Sequence, residues 1–175
     1  MSFPLDLLAQ ARHLATWEQR KPKQASLRRS VSTAYYALFH FISDESAKLF
    51  IGATNQEKSR RDLARRSIAH ARIKEVCTEF QKKTPRILLQ PFWEKSGIID
   101  DVDFSDLCGS FIDLQEARHA ADYDFQGSVS RSSALDACDR ASRAIKAWSN
   151  LRQKKPEALL LFAMTVLLWP GLSGR

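Results

Sequence analysis

The chain has 175 residues, of which 44% are hydrophobic and 27% charged, and this composition excludes collagen-like, low-complexity and largely disordered proteins. Its length predicts a single domain over residues 1–175, and its net charge of +7 favours a polyanionic ligand such as nucleic acid. Three scattered cysteines and the lack of a secretory pattern predict a reduced, cytoplasmic protein without a disulfide framework, metal site or cofactor.

Apolar periodicity predicts an all-α fold, an up-and-down bundle of five to six helices. Side chains that accept the free N–H groups of a first turn predict helix starts after Ser2 and after Asp103. Thr54, followed by Glu57, forms a capping-box pattern that predicts the start of a long third helix. The predicted helices cover about residues 3–20, 26–50, 54–83, 104–123 and 132–153, within a core of about 5–153.

Two segments depart from this regular pattern. Residues 84–103 hold two prolines, a glycine and two neighbouring aromatics, and they predict an irregular insertion. Residues 156–170 predict an apolar C-terminal helix, and their apolar part, 158–169, is about 18 Å long, too short to cross a membrane. We expect this helix to be covered by its own domain or by a second subunit, with a membrane-surface anchor as the open alternative.

The densest basic cluster lies in the predicted helix over 54–83 and is either a phosphate-binding surface or a solvated helix face. At about 100° per residue, Arg66, His70 and Lys74 share one face of a continuous helix. The same geometry points Arg65 and His70 about 140° apart, so these two are not expected to meet at one phosphate. The candidate substrate-binding residues of this segment are Arg61, Arg65, Arg66, His70 and Arg72.

Polar side chains also mark the second and fourth predicted helices. Arg29, Tyr36 and His40 follow one another along the side of the second helix that lies opposite its apolar seam. In the fourth helix Arg118 and Asp122 are four residues apart, which predicts an ion pair on the side that begins as core. Each set is either structural or part of a polar pocket.

Both segments carry a resemblance to a known family. Residues 28–40, Arg-Arg-Ser-Val-Ser-Thr-Ala-Tyr-Tyr-Ala-Leu-Phe-His, resemble the second-helix signature of the HEPN superfamily. Residues 114–124, with Arg118, Asp122 and Tyr123, are similar to the Arg-x-x-Ala-Asp-Tyr-type motif of one branch of that superfamily. The likeness covers roughly residues 5–150 and implies a small helical bundle that often dimerises.

The resemblance also implies a chemistry. Many HEPN proteins are metal-independent endoribonucleases of toxin–antitoxin, anti-phage and RNA-processing systems, in which an Arg and a His separated by four to six residues line a cleft between two subunits. In this chain Asp122 and Tyr123 occupy the region where that His would follow Arg118, which predicts weak or no nuclease activity. The candidate catalytic residues carried over are Arg118, His119, Asp122 and Tyr123, joined by His40 from the second helix.

Three hypotheses follow. The first is a HEPN-like domain that associates with RNA or nucleotides, in which Arg29 and Arg118 hold phosphate oxygens beside Tyr36. The second is an active metal-independent endoribonuclease in which His40 or His119 moves the proton. The third is a non-catalytic partner of a nucleotidyltransferase-like subunit, docked through the C-terminal helix. We predict a homodimer that does not enter membranes.

Overall fold

The computed structural model describes residues 2–82, 90–98, 100–124 and 126–173, and every regular element within these ranges is helical. The predicted all-α bundle is confirmed. The described residues form eight α-helices and one 3₁₀ turn, more than the five to six helices expected, because one predicted helix is broken and the insertion contains another. The helices are α1 (Phe3–Thr16), α2 (Gln24–Ile51), α3 (Lys58–Ser67), α4 (His70–Phe80), α5 (Gln90–Ser96), α6 (Val102–Tyr123), α7 (Arg131–Lys154) and α8 (Pro156–Ser173).

Helix α2 forms the centre of the bundle, since it contacts α1, α3, α6, α7 and α8. All of residues 30–35 are buried, including four side chains that carry a hydroxyl. On the side expected to be a polar back face Thr33 is buried, whereas Arg29 is exposed and Tyr36 and His40 keep part of their surface open. Part of the predicted polar face of α2 therefore lies at the surface.

The predicted long helix over 54–83 is wrong, because the chain is extended at two residues in its middle. Ile68 has ψ 111° and Ala69 has ψ 149°, which separates α3 from α4. The Ser67 hydroxyl donates to the Ala64 carbonyl (2.7 Å), so a side chain takes over a bond that a continuing helix would supply. Ile68 is buried at the break, and its burial is gained only by turning the chain.

Three predicted helix starts differ in detail. The segment 55–57 is a 3₁₀ turn, and Thr54 makes no side-chain capping bond. Ser2 precedes α1 without a side-chain capping bond, although Pro4 lies in the first turn as the sequence predicts. Helix α6 is capped by Asp101, whose Oδ1 accepts from the Phe104 N–H (3.0 Å), and not by Asp103. The predicted insertion contains α5, whereas its residues 84–89 and 99 lie outside the described residues.

The apolar C-terminal segment is a helix, as predicted, and its own chain covers it. Helix α8 packs against α2, α4, α5 and α7, with Phe162 fully buried among them. The Trp169 indole N–H donates to Glu75 Oε2 of α4 (2.6 Å), which fixes the far end of α8. Within the described residues no helix has both the length and the apolar character needed to cross a membrane.

Arg61, predicted as a substrate-binding residue, holds the end of α2 instead. Its Nη1 donates to the carbonyl oxygens of Gly52 and Thr54, both at 2.7 Å. We expect Arg61→Gln to lower the free energy of unfolding by about 1–2 kcal/mol, because one partly buried and one exposed carbonyl lose a charged donor. The side chain of Arg72 has no ion pair or hydrogen bond within the described residues, so Arg72→Gln is the matched control. Equal urea midpoints for the two variants would contradict this role.

Candidate functional site

A pocket of about 630 Å³ opens between the start of α1, the middle of α2, the end of α3 and the start of α4. Its volume lies within the range of pockets that bind small ligands. Six titratable side chains line it, contributed by three different helices: the basic or imidazole groups of His40, Arg65, Arg66 and His70, and the carboxylates of Asp44 and Asp62. The rings of Phe3 and Phe39 supply its apolar wall. The pocket therefore combines guanidinium groups, imidazoles, two carboxylates that pair with Arg65, and aromatic surface. Its remaining guanidinium and its rings suit a phosphorylated aromatic ligand.

The break between α3 and α4 explains why Arg65 and His70 line the same pocket. On a continuous helix they would diverge, and the expectation that they do not meet is wrong for this structural reason. The guanidinium of Arg65 is already engaged, since it pairs with Asp44 (3.0 Å) and with Asp62. Arg66 has no ion pair within the described residues, so it is the free cation of this wall.

The expected shared face of Arg66, His70 and Lys74 is absent for the same reason. Lys74 projects toward α6, where its Nζ lies 3.0 Å from Glu116 Oε1. It does not line the pocket that holds the other two. Of the predicted basic face, Arg65, Arg66 and His70 thus meet at one place, whereas Lys74, Arg61 and Arg72 do not.

Both pocket histidines are shifted toward their neutral forms. His70 stacks on Phe39, with ring centroids 3.8 Å apart, and its Nδ1 lies 2.8 Å from the Tyr35 hydroxyl. Burial lowers the pKa of His70, and the charges of Arg118 and His40 lower it further. Burial likewise lowers the pKa of His40, with the Arg65 charge as the second cause. Both imidazoles are therefore mainly neutral at pH 7.

The predicted ion pair of α6 is confirmed. Arg118 Nε lies 2.8 Å from Asp122 Oδ2, and Arg118 Nη2 donates to the Tyr36 hydroxyl at 3.2 Å. Asp122 Oδ1 also accepts from the hydroxyl of the buried Ser32 at 2.5 Å. The Arg118 and Asp122 side chains keep 23% and 28% of their surfaces exposed, so the pair lies at the edge of the core and is accessible to a ligand.

Rings and one guanidinium connect this ion pair to the pocket in an unbroken series. The centroid of Phe3 lies 5.2 Å from that of His40, which lies 6.3 Å from that of Tyr36. The Arg118 guanidinium carbon lies 5.8 Å from the centroid of Tyr36 and 5.6 Å from that of Tyr123. The ring of Tyr123 is in turn 4.8 Å from that of His119. We call this series the ladder: Phe3, His40, Tyr36, Arg118, Tyr123 and His119.

The ladder is open to solvent at both ends. Phe3 is 62% exposed and Tyr123 is 58% exposed, although large aromatic side chains are usually well covered. Arg29 lies on α2 about two turns before Tyr36, on the same face and exposed. The ladder therefore runs along an accessible surface from the start of α1, across α2, to the end of α6.

Several members of this site were not identified from the sequence. Tyr35 and Ser32 lie within the second-helix motif, but their partners are His70 and Asp122, far away in the chain. Phe3 gave no signal beyond being an apolar residue near a helix start. Among the described residues no three His, Cys, Asp or Glu side chains are grouped as metal ligands would be.

The partial exposure of the ion pair sets the size of a stability prediction. Asp122→Ala removes the partner of Arg118 and the acceptor of the Ser32 hydroxyl, but water reaches both charged side chains. We expect a loss of about 2 kcal/mol, between the values typical of exposed and of buried pairs. Asp136→Ala, which removes a more exposed i, i+4 partner of Arg140, is the control and is expected to cost less than about 1 kcal/mol. Indistinguishable melting temperatures for the two variants would contradict the assignment.

No protein-family model matches the chain, and no curated protein or solved structure is significantly similar to it. The comparisons therefore assign neither a family nor an activity.

Proposed function

We propose that the chain is a HEPN-like RNA-binding domain that holds single-stranded RNA along the ladder, with a phosphate in the pocket beside it. The observation that carries this proposal is the series of five rings and one guanidinium from Phe3 to His119, which passes the pocket at His40. Proteins that bind single strands combine aromatic platforms, on which bases stack, with cations that follow the backbone. The ladder has both components.

The positions of two guanidinium groups, one without an ion pair and one paired with Asp122 at the edge of the core, support a phosphodiester ligand. Arg66 lines the pocket without an ion pair among the described residues, and Arg118 lies between two ladder tyrosines. A guanidinium matches the geometry of phosphate oxygens through paired N–H donors. The net charge of +7 adds a long-range attraction for nucleic acid. Weak or absent nuclease activity remains part of the proposal.

A second candidate, a metal-independent endoribonuclease, is favoured by one specific observation. Two mainly neutral histidines, His40 and His70, line one pocket with Arg66. In such a reaction His40 takes the proton of the 2′-hydroxyl, the 2′-oxygen attacks phosphorus, and the bond to the 5′-oxygen breaks while that oxygen takes a proton from water. Arg66 would offset the charge that develops on the phosphate. The spacing Arg65-x₄-His70 fits the family pattern that the HEPN resemblance implies.

Two partner predictions stay proposals. The HEPN resemblance implies a homodimer, whose mass in light scattering would be twice that of the chain. The apolar face of α8 is covered by its own bundle, so it no longer provides a reason for a nucleotidyltransferase-like partner. Truncation after Lys155 is expected to unfold the chain, because it removes core residues, and not merely to release a partner.

The stacking of RNA bases on the ladder is tested by replacing one exposed aromatic residue of the ladder and one outside it. Tyr123→Ala is expected to weaken binding of a twelve-nucleotide single-stranded RNA by about 1–3 kcal/mol in fluorescence anisotropy, the usual value of one stacked base. Trp17→Ala removes an equally exposed aromatic outside the ladder and is expected to leave the affinity unchanged. A wild-type protein that binds no RNA at low salt would overturn the proposal.

Cleavage is tested on the same RNA in EDTA. Products that form in chelator, and that disappear in both His40→Ala and Arg66→Ala, would establish the second candidate. Intact RNA that stays bound to the wild-type protein would support binding without cleavage.

A further inference from the structure

The pocket contains a hydrogen bond whose direction determines what His70 offers to a ligand. The Tyr35 hydroxyl lies 2.8 Å from His70 Nδ1, and Tyr35 is only 1% exposed. Within the described residues His70 is the one hydrogen-bond partner of this phenol. The ring of His70 is also clamped against Phe39, which fixes its plane.

Among the described residues, the buried phenol of Tyr35 has one acceptor for its hydrogen, the Nδ1 of His70. Burial raises the pKa of Tyr35 above its ordinary value, so the hydroxyl keeps its proton at any physiological pH. If neutral His70 carried its hydrogen on Nδ1, the N–H group of His70 and the O–H group of Tyr35 would face each other. The phenol hydrogen would then lack an acceptor. If Tyr35 donates to Nδ1, both groups are satisfied and the hydrogen of His70 resides on Nε2.

We infer that Tyr35 is a positioning residue that holds neutral His70 in its Nε2–H tautomer, so that His70 presents the pocket with a hydrogen-bond donor for a phosphate oxygen. The phosphate part of this inference rests on the proposed function, whereas the tautomer does not. The hydrogen bond to Nδ1 leaves Nε2 as the ring nitrogen available to a ligand, as in other histidines whose tautomer a second group sets.

The Nε2–H group of His70 remains a hydrogen-bond donor when His70 becomes protonated. In the imidazolium Nδ1–H donates to the Tyr35 oxygen, the phenol hydrogen turns away, and Nε2 still carries its hydrogen. Contact with a phosphate through Nε2 is therefore expected to survive a change of pH across the titration of His70. The groups that face His70 or share its pocket are Tyr35, Tyr36, His40 and Asp44 of α2, Asp62, Arg65 and Arg66 of α3, and Arg118 of α6.

The two histidines of the pocket thus differ in their capacity to accept a proton. Neutral His70 has no free basic nitrogen, because its Nδ1 is occupied by Tyr35. The ring nitrogens of His40 have no hydrogen-bond partner within the described residues, so either one is free to accept a proton. If the protein cleaves RNA, the proton acceptor is His40, and His70 binds the phosphate.

The tautomer is measured by two-dimensional NMR of ¹⁵N-histidine protein, which separates protonated from unprotonated ring nitrogens. At pH 8 the wild type is expected to show His70 with an unprotonated Nδ1 and a protonated Nε2. Tyr35→Phe is expected to shift His70 toward a mixture of tautomers, whereas Tyr36→Phe, which removes the neighbouring phenol that binds Arg118, is expected to leave it unchanged. An Nδ1–H tautomer in the wild type, or identical spectra for Tyr35→Phe and the wild type, would overturn the role of Tyr35.

The Nε2–H donor is tested by replacing His70 with glutamine or with asparagine. The affinity of each variant for the twelve-nucleotide RNA is then measured. Glutamine places an N–H group near the position of Nε2, and asparagine places one near that of Nδ1. We expect His70→Gln to bind RNA like the wild type and His70→Asn to bind about tenfold more weakly, the loss of one charge-assisted hydrogen bond. Equal affinities for the two variants would overturn the phosphate contact. If the wild type binds no RNA, the proposed function and the phosphate contact both fall, and the spectra alone decide the role of Tyr35.

Discussion

Replacement of Phe162 by alanine is expected to lower the free energy of unfolding by about 3–5 kcal/mol, the usual cost of truncating a fully buried phenylalanine. Phe162 has no exposed surface. Its ring meets those of Phe80 and Phe104 at centroid distances of 5.6 Å and that of Trp148 at 6.1 Å. These rings come from α4, α6 and α7, so the substitution leaves a cavity where three helices meet α8.

The control for this variant lies one half-turn further along the same helix. Met164 is 37% exposed, and Met164→Ala is expected to cost less than about 1 kcal/mol. Urea denaturation of both variants measures the difference. Similar small losses for Phe162→Ala and Met164→Ala would mean that α8 is not part of the core, and would return it to the role of a docking helix.

The largest functional effect is expected when one guanidinium of the pocket and one of the ladder are removed together. The double variant Arg66→Gln, Arg118→Gln is expected to bind single-stranded RNA about 100-fold more weakly, as two charged contacts to phosphate are lost. Its salt dependence should also flatten, because each phosphate contact contributes about 0.7 to the slope of log K against log salt. Fluorescence anisotropy between low and moderate salt gives both quantities.

A charge-matched control separates contact from net charge. The double variant Arg143→Gln, Lys146→Gln removes two exposed positive charges from α7, outside the ladder and the pocket. It is expected to weaken binding only slightly and to keep the slope. An equal loss of affinity in the two double variants would show that RNA binding is non-specific, and would remove Arg66 and Arg118 from the site.

The parts of the fold set by local spacing were predictable. The i, i+4 pair of Arg118 and Asp122 formed as expected, since residues four apart on a helix are neighbours. The small-residue face of α7 is buried in the bundle, and the C-terminal helix formed where the apolar run lies. Each of these features depends on the periodicity of one helix.

The break at Ile68 and Ala69 was not predictable, because no glycine or proline marks it. Its cause is tertiary: Ile68 is buried only when the chain turns, and Ser67 closes the end of α3 with its own hydroxyl. This single break decides the site, since it brings Arg65 and His70 to one pocket and sends Lys74 to α6. On a continuous helix Arg65 and His70 would point about 140° apart, and Lys74 would share the face of His70.

The partners of the second-helix motif were likewise beyond local reasoning. The sequence marks Tyr36 and His40 as a polar stripe, but it does not show that Phe3 covers His40 or that Tyr35 binds His70. Such contacts join residues that are 35 or more positions apart, and only the packed bundle brings them together. The motif was visible, whereas its function as part of a ladder was not.

Photo-crosslinking of a 4-thiouridine-labelled single-stranded RNA, followed by mass spectrometry of the peptides, tests most directly whether RNA lies on the ladder. We expect crosslinks in the peptides that contain Phe3, the segment 36–40 and Tyr123, and their loss from the last of these in Tyr123→Ala. Crosslinks that fall mainly on α7 or on the peptide of Trp17, with none on the ladder, would contradict the proposed RNA-binding surface.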